Sequence, residues 1–242
     1  MPLSPFQRID PGEFRILELH KGCIEDPIAC KLHKCCWLRK DDYFVSSRGK
    51  YEAVSYSWGK SVGRSEIAVN GITIMIPPAL ADALCHLRQK NYDRQLWCDA
   101  ICIDQNNFEE KAAQVSMMFT IFRRAMQVIA WIGLDDESTR FIDTCLHWKS
   151  IEKSRGCSMM DLRDLTAEHS ERNEELLSQA VDLTKKQWFH RVWIRQEVTA
   201  ARTVKLQCGS KRIGLERLFE YMFVFLIGED RDLEVDIWES DK

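Results

Sequence analysis

Residues 188–198 read WFHRVWIRQEV, a mixture of two tryptophans, two arginines, a histidine, a glutamine and a glutamate. The segment is too polar for a plain core helix and too aromatic for a plain surface one. In a helix starting near Val192, a step of about 100° per residue puts Ile194, Val198 and Ala201 on one core-facing stripe. Arg195 and Arg202 then face solvent. Glu197 falls roughly 60° from the stripe's centre, at the rim between core and water, with Trp193 four residues earlier on its side. A rim carboxylate beside an indole suits a flat or sugar-like ligand. It equally suits an ion pair with Arg191 or a loop cap, and geometry alone favours that plainer role.

Other candidates are judged the same way. Asp99 lies within LWCDAICI (96–103), a run apolar on both faces that reads as a central strand. An unpaired carboxylate there is costly, so Asp99 is expected to pair with Arg191 or accept backbone N–H bonds. Asp104 and Gln105 stand at that strand's end, where they either line a site or form the turn into Asn107. SYSWGK (55–60) lacks the spacing of a phosphate-binding loop or dinucleotide fingerprint. His190 with Cys98 or Cys102 could form a thiol–imidazole pair, but buried inert cysteines are commoner. His20, Cys23, Cys30, His33, Cys35 and Cys36 raise the question of zinc. With no Cys-x-x-Cys pair, they read instead as reduced, metal-free thiols on a half-buried strand.

The elements that position these groups alternate. YEAVSYSW (51–58) reads as a buried strand, and EIAVNGITIMI (66–76) as a hairpin turning at Asn70-Gly71. Pro77-Pro78 opens a helix with Leu80, Ala83, Leu84 and Leu87 on one stripe. Asn107 with Glu110 resembles a capping box, starting a helix that runs to about Ala125. QVIAWI (127–132) is the next strand. Residues 134–187 read as an insertion carrying two helices, STRFIDTCLHW and NEELLSQAVDL. TVKLQCG (203–209) is a strand with Val204, Leu206 and Cys208 inward, and LERLFEYMFVFLI a closing helix before an acidic tail.

This alternation predicts an α/β layer fold with a mainly parallel sheet flanked by helices. Ligands bind beyond the carboxyl ends of such strands, here Ser57-Trp58-Gly59, Asp104-Gln105 and Trp131-Gly133. The 242 residues read as one domain: a core at 51–210, a β-rich flank at 1–50, the helical insertion, and a C-terminal helix and tail at 211–242. With a net charge of -3 there is no basic excess to favour nucleic acid. The N-terminus lacks the apolar stretch of a secretory signal. YMFVFLI is far short of the roughly 20 residues of a membrane span. The chain therefore reads as cytoplasmic, with neither nucleic acid nor membrane as partner.

Taken in order, YEAVSYSWG, LWCDAICIDQNNFEEKAAQVSMM, AMQVIAWIG and WFHRVWIRQEVTAAR resemble the successive blocks of the fungal heterokaryon-incompatibility (HET) domain. That resemblance implies nonself recognition and programmed cell death. The HET domain is in turn similar to the Toll/interleukin-1 receptor (TIR) domain, which implies a flavodoxin-like fold. TIR sequences carry a Trp and then a Glu four positions later, and Trp193 and Glu197 stand at that spacing. The resemblance implies cleavage of NAD⁺ as substrate, with no further cofactor. It makes Glu197 the catalytic residue, Trp193 its neighbour, and Ser57, Trp58, Gly59 and Asp104 the pocket lining. It also implies self-association. The alternative it leaves open is a non-catalytic death-signalling adaptor that assembles with copies of itself.

Overall fold

The structure is a computed structural model describing residues 4–36, 51–58, 63–156 and 170–224. Gly59, Cys157, residues 37–50 of the N-terminal flank and the acidic tail lie outside the described residues. In chain order the elements begin with β1 (Glu13–Leu19), β2 (Ala29–Cys36), β3 (Glu52–Tyr56), β4 (Ser65–Val69) and β5 (Ile72–Ile76). Next come α1 (Pro78–Leu87), β6 (Arg94–Trp97), α2 (Asp99–Cys102), α3 (Phe108–Arg124) and β7 (Val128–Trp131). The last are α4 (Arg140–Arg155), α5 (Ser170–Thr184), α6 (Ile194–Ala200), β8 (Val204–Cys208), β9 (Lys211–Gly214) and α7 (Leu215–Met222).

The chain divides into two compact units, residues 1–135 with 186–214, and residues 136–185 with 215–242. The first holds one mixed sheet of order β5-β4-β2-β1-β6-β3-β7-β8-β9. Its centre, β6-β3-β7-β8, is parallel as the alternation predicts. The expectation of a mainly parallel sheet is corrected outside that centre. There β1 runs antiparallel to both β2 and β6, and β4-β5 and β8-β9 are hairpins, while β2 and β4 keep a short parallel pairing. A two-residue connection can only return the chain antiparallel. At Asn70 and Gly71 the φ values are 52° and 76°, the left-handed pair that a tight hairpin turn demands.

Every residue of β7 is buried, as a central strand covered on both faces requires. α1 starts with proline in its first turn and buries Leu80, Ala83, Leu84 and Leu87. α3 is capped by Asn107, whose side chain accepts from the Glu110 N–H. Only that half of the box forms, because the Glu110 carboxylate is engaged elsewhere.

The run 96–103 departs from expectation. β6 stops at Trp97, and Asp99–Cys102 turns into a short helix with Ile101 and Cys102 buried. A short run apolar on both faces is common to buried strands and buried helical turns. Here Asp99 decides in favour of the turn, its Oδ1 accepting from the Ala100 N–H at 2.8 Å.

The second unit contains the two expected insertion helices, α4 and α5, together with α7. Its core includes Phe141, Cys145, Trp148, Leu183, Leu218 and Tyr221, with Trp148 and Tyr221 ring centroids 5.4 Å apart. Among the described residues no helix is long and apolar enough to cross a membrane.

Candidate functional site

Beyond the carboxyl ends of β3 and β6 lies a cleft of about 590 Å³, lined by Phe6, Trp58, Arg64, Asp104, Gln105 and Asn106 among others. Trp58 is 43% exposed. Its ring stacks on Tyr56, with centroids 6.5 Å apart and planes 8° from parallel. Its Nε1 donates to Asp99 Oδ2 at 3.1 Å. Gln105 Nε2 donates to the Asp99 carbonyl at 2.8 Å, tying one lining residue to α2.

Arg15 holds two walls of this cleft. It forms a two-pronged pair with Glu110, at 2.6 and 3.0 Å. It also donates to the carbonyls of Cys102 and Gln7 and lies over the Phe6 ring. Glu110 in turn accepts from the Asp104 N–H at 2.8 Å. Together with Asp104 these contacts hold the Glu110 carboxyl below the usual carboxylate range, against a burial effect of opposite sign.

A smaller hollow of about 190 Å³ opens beyond β7, lined by Ser57, Trp131, Gly133, Gln187 and Trp188. Ser57 Oγ donates to Gln187 Oε1 at 3.2 Å. Glu197 lines neither this hollow nor the cleft.

Behind both openings lies a closed polar network. Arg191 meets Glu197 with two parallel bonds, Nη1 to Oε2 and Nη2 to Oε1, each 3.2 Å. Ser55 Oγ donates to Glu197 and accepts from Trp188 Nε1 at 2.7 Å. Burial pushes the Glu197 carboxyl above its ordinary range; Arg191 and Ser55 oppose the shift, and the charge of Asp99 adds to it. Burial likewise raises Asp99, opposed first by the Trp58 N–H, then by the Ala100 N–H and Arg191.

Residues 51–197, more than half of the chain, match the family model described as heterokaryon incompatibility protein (HET). The chain belongs to the HET family. It is also similar to the heterokaryon incompatibility protein 6, OR allele, of Neurospora crassa, with 29% identity over 84% of this chain and 34% of that relative. The chain thus spans about a third of that curated relative's length. No solved structure matches the chain.

Within the HET region the candidates separate. Trp58 and Asp104 share the cleft, Ser57 lines the smaller hollow, and Gly59 lies outside the described residues. Trp193 lines neither opening; its side chain is about half exposed, and its carbonyl accepts from the Glu197 N–H. Two placements are corrected outright. Glu197 is not at a rim but 2% exposed, so the inner face of α6 is phased on Glu197 and Ala200. Asp99 is not inside a strand but half-buried at the start of α2. Arg191 forms its ion pair with Glu197 and acts on Asp99 only through space.

The thiol–imidazole pairing does not form, since His190 is exposed while Cys98 and Cys102 are fully buried. The hydrogen bond to Cys102, followed by burial, pushes the Cys98 thiol well above its usual range. Burial is the main cause raising Cys30 and Cys35 to about 12. These thiols are therefore protonated and poor nucleophiles at neutral pH. Among the described residues no group of three or more His, Cys, Asp or Glu is arranged to hold a metal ion. Sequence reasoning missed Ser55, Tyr56 and Trp188. The available signal was Ser55, a hydroxyl amid the apolar residues of β3 that needed a buried partner.

Proposed function

We propose that this HET-family chain acts in fungal nonself recognition by triggering cell death, and that it does so by cleaving NAD⁺ in the Trp58 cleft. The observation carrying this reading is the cleft itself, at the carboxyl ends of parallel strands where α/β folds take ligands. Its size is that of a ligand site. The exposed face of Trp58 offers a stacking platform for a flat ring. Arg64 offers a cation for a diphosphate, and Asp104, Gln105 and Asn106 offer partners for ribose hydroxyls.

Nicotinamide in NAD⁺ is already a cationic leaving group, so cleavage needs little acid assistance. The barrier lies in an oxocarbenium-like ribosyl transition state, as in glycoside hydrolysis. A carboxylate aimed at that charge lowers the barrier. Glu197 is our sequence-based candidate for this role, from its Trp-x-x-x-Glu spacing with Trp193. Its carboxylate is engaged by Arg191 and Ser55, so Glu197 meets a ribose only when Arg191 lets it go. Self-association is the natural trigger for such a rearrangement.

The second reading is a non-catalytic adaptor that assembles with its own copies, and the locked Arg191–Glu197 pair favours it. Nicotinamide release from NAD⁺ by the purified protein, followed across protein concentrations, separates the two. Release that rises in specific activity with concentration supports cleavage by an assembled form. No release at any concentration leaves the adaptor.

A further inference from the structure

We propose that Asp99, directly behind the Trp58 and Ala100 lining of the large cleft, is a catalytic carboxylate that meets the ribose of the bound nucleotide once the Trp58 indole turns. This rests on reading the cleft as an NAD⁺ site. Asp99 is the first residue after the turn out of β6, where the parallel strands end. Three residues that line the cleft bear on it directly: Ala100 through its N–H, Trp58 through its indole N–H, and Gln105 through its side-chain amide. Asp99 is half-buried, so part of its surface stays open.

Its partners orient it without consuming its charge. Its contacts come from neutral donors: the Trp58 and Ala100 N–H groups, one to each oxygen, and the Tyr56 hydroxyl beside them. The nearby guanidinium of Arg191 is committed to Glu197 by two bonds. The buried Tyr56 hydroxyl also faces the Asp99 carboxylate: burial, then the Asp99 charge and a hydrogen bond to Asp99, raise its pKa. It is a neutral donor that can hold one Asp99 oxygen when the indole turns away. When a ligand ring stacks on Trp58, the indole that covers the carboxylate is the same group that holds the ligand. Rotation of that indole then exposes Oδ2 to the ribose.

In the step itself the bond between ribose C1′ and the nicotinamide nitrogen breaks, and its electron pair leaves on the nitrogen, neutralising the pyridinium. Asp99 faces the resulting oxocarbenium. A water oxygen bonds to C1′ and gives its proton to the Asp99 carboxylate, which releases it to solvent. The products are nicotinamide, ADP-ribose and one proton. A carboxyl whose proton affinity is already raised by burial is the better base for that water.

The experiment measures nicotinamide release and, separately, NAD⁺ binding by quenching of tryptophan fluorescence, in the wild-type chain and in Asp99→Asn. The expected result is binding within a few-fold of wild type and release slower by ~10²–10³. A wild type that binds but never releases nicotinamide overturns the cleavage reading and this assignment with it. An active wild type with an equally active Asp99→Asn overturns the assignment alone. Should Asp99→Asn fail to fold, Asp99→Glu is measured instead, since it keeps the charge but displaces it by about one carbon. A misplacement of that size is expected to lower kcat about 10-fold or more with KM little changed. An unchanged kcat counts against Asp99.

Discussion

Glu197 and Asp99 stand behind the same parallel strand ends and are held in opposite ways. Glu197 is sealed, with both oxygens taken by a two-pronged guanidinium and one also taken by the Ser55 hydroxyl. Asp99 takes two neutral N–H donors and keeps part of its surface open. Burial raises both carboxyls, yet only Glu197 has a contact ion pair to offset the cost. A carboxylate sealed from solvent with both oxygens held by its own chain organises the fold. One that keeps part of its surface open behind the cleft lining is available to a ligand. The Trp193–Glu197 spacing in the sequence suggested the first group as the ligand-facing carboxylate, and the geometry favours the second.

The largest expected effect comes from breaking the sealed pair. Glu197→Gln leaves the Arg191 guanidinium without its carboxylate, and removing one partner of a buried pair costs about 3–5 kcal/mol. Arg191 keeps 18% of its side chain exposed, which favours the low end, about 3 kcal/mol. Urea unfolding measures it. The rim placement read from sequence implied only about 1 kcal/mol. A loss that small would mean the pair is not what holds α6 in place. Replacing both Arg191 and Glu197 by leucine is expected to recover most of the loss, because hydrophobic substitutes often match a buried pair.

Glu110 supports the cleft from the other side, and its loss is expected to cost somewhat less because Arg15, though more deeply buried, keeps the carbonyls of Cys102 and Gln7 as acceptors. Glu110→Gln weakens two charged bonds from Arg15, at about 1.5–3 kcal/mol. The two glutamates also respond oppositely to acid. The Glu110 carboxyl is held below its ordinary value, so its stabilisation is present above about pH 4.3 and is lost as pH falls through the folded-state pKa. The Glu197 carboxyl is raised, so its ionisation penalty grows as pH rises from the ordinary value through the folded one. Unfolding midpoints followed from about pH 6 down to 3 are expected to show a shallower acid loss in Glu110→Gln than in wild type. An unchanged slope would detach Glu110 from the cleft wall's stability.

What sequence showed and what it hid divides along the same line. The turn at Asn70-Gly71, the proline start of α1 and the central strands β3 and β7 were legible because their determinants lie within a few residues. The parallel centre followed from strands alternating with helices. The end of β6 was not legible, since an apolar run fits a buried helical turn as well as a strand. The phase of α6 was misread because Ile194 and Val198 were taken as the core stripe. This short helix packs its inner face against a polar network, so apolar spacing points the wrong way. The partners that create the network come from far along the chain: Ser55 is 142 residues from Glu197. Arg15 is 95 residues from Glu110. No local pattern announces such pairings, although a hydroxyl inside an apolar strand asks for one.

Ser55→Ala tests that network with a smaller change. It removes the hydroxyl between the Trp188 indole and Glu197, leaving a buried N–H without its acceptor. The expected cost is about 1–3 kcal/mol, read by urea unfolding, with a shift in tryptophan emission as Trp188 loses its bond. A neutral result with unchanged emission would show that water or the Glu197 carboxylate accepts the Trp188 N–H in the hydroxyl's place.

Asp99→Asn is the smallest expected change in stability and the sharpest test of the contrast. The amide keeps one oxygen for the Ala100 N–H, and only the bond from Trp58 is lost. Trp58 is exposed enough to turn its N–H to water, so that loss is cheap. The substitution also removes an ionised group that burial disfavours. Because the folded-state pKa of Asp99 is raised, the wild type pays for ionisation as pH climbs through that value, and the amide does not. At neutral pH the two effects oppose each other, so the net change is expected within about 1 kcal/mol of wild type. The variant's relative stability should improve from acid to neutral pH, and Trp58 should contribute a small emission change. A loss comparable to that of Glu197→Gln would make Asp99 a second fold-holding carboxylate and erase the distinction between the two.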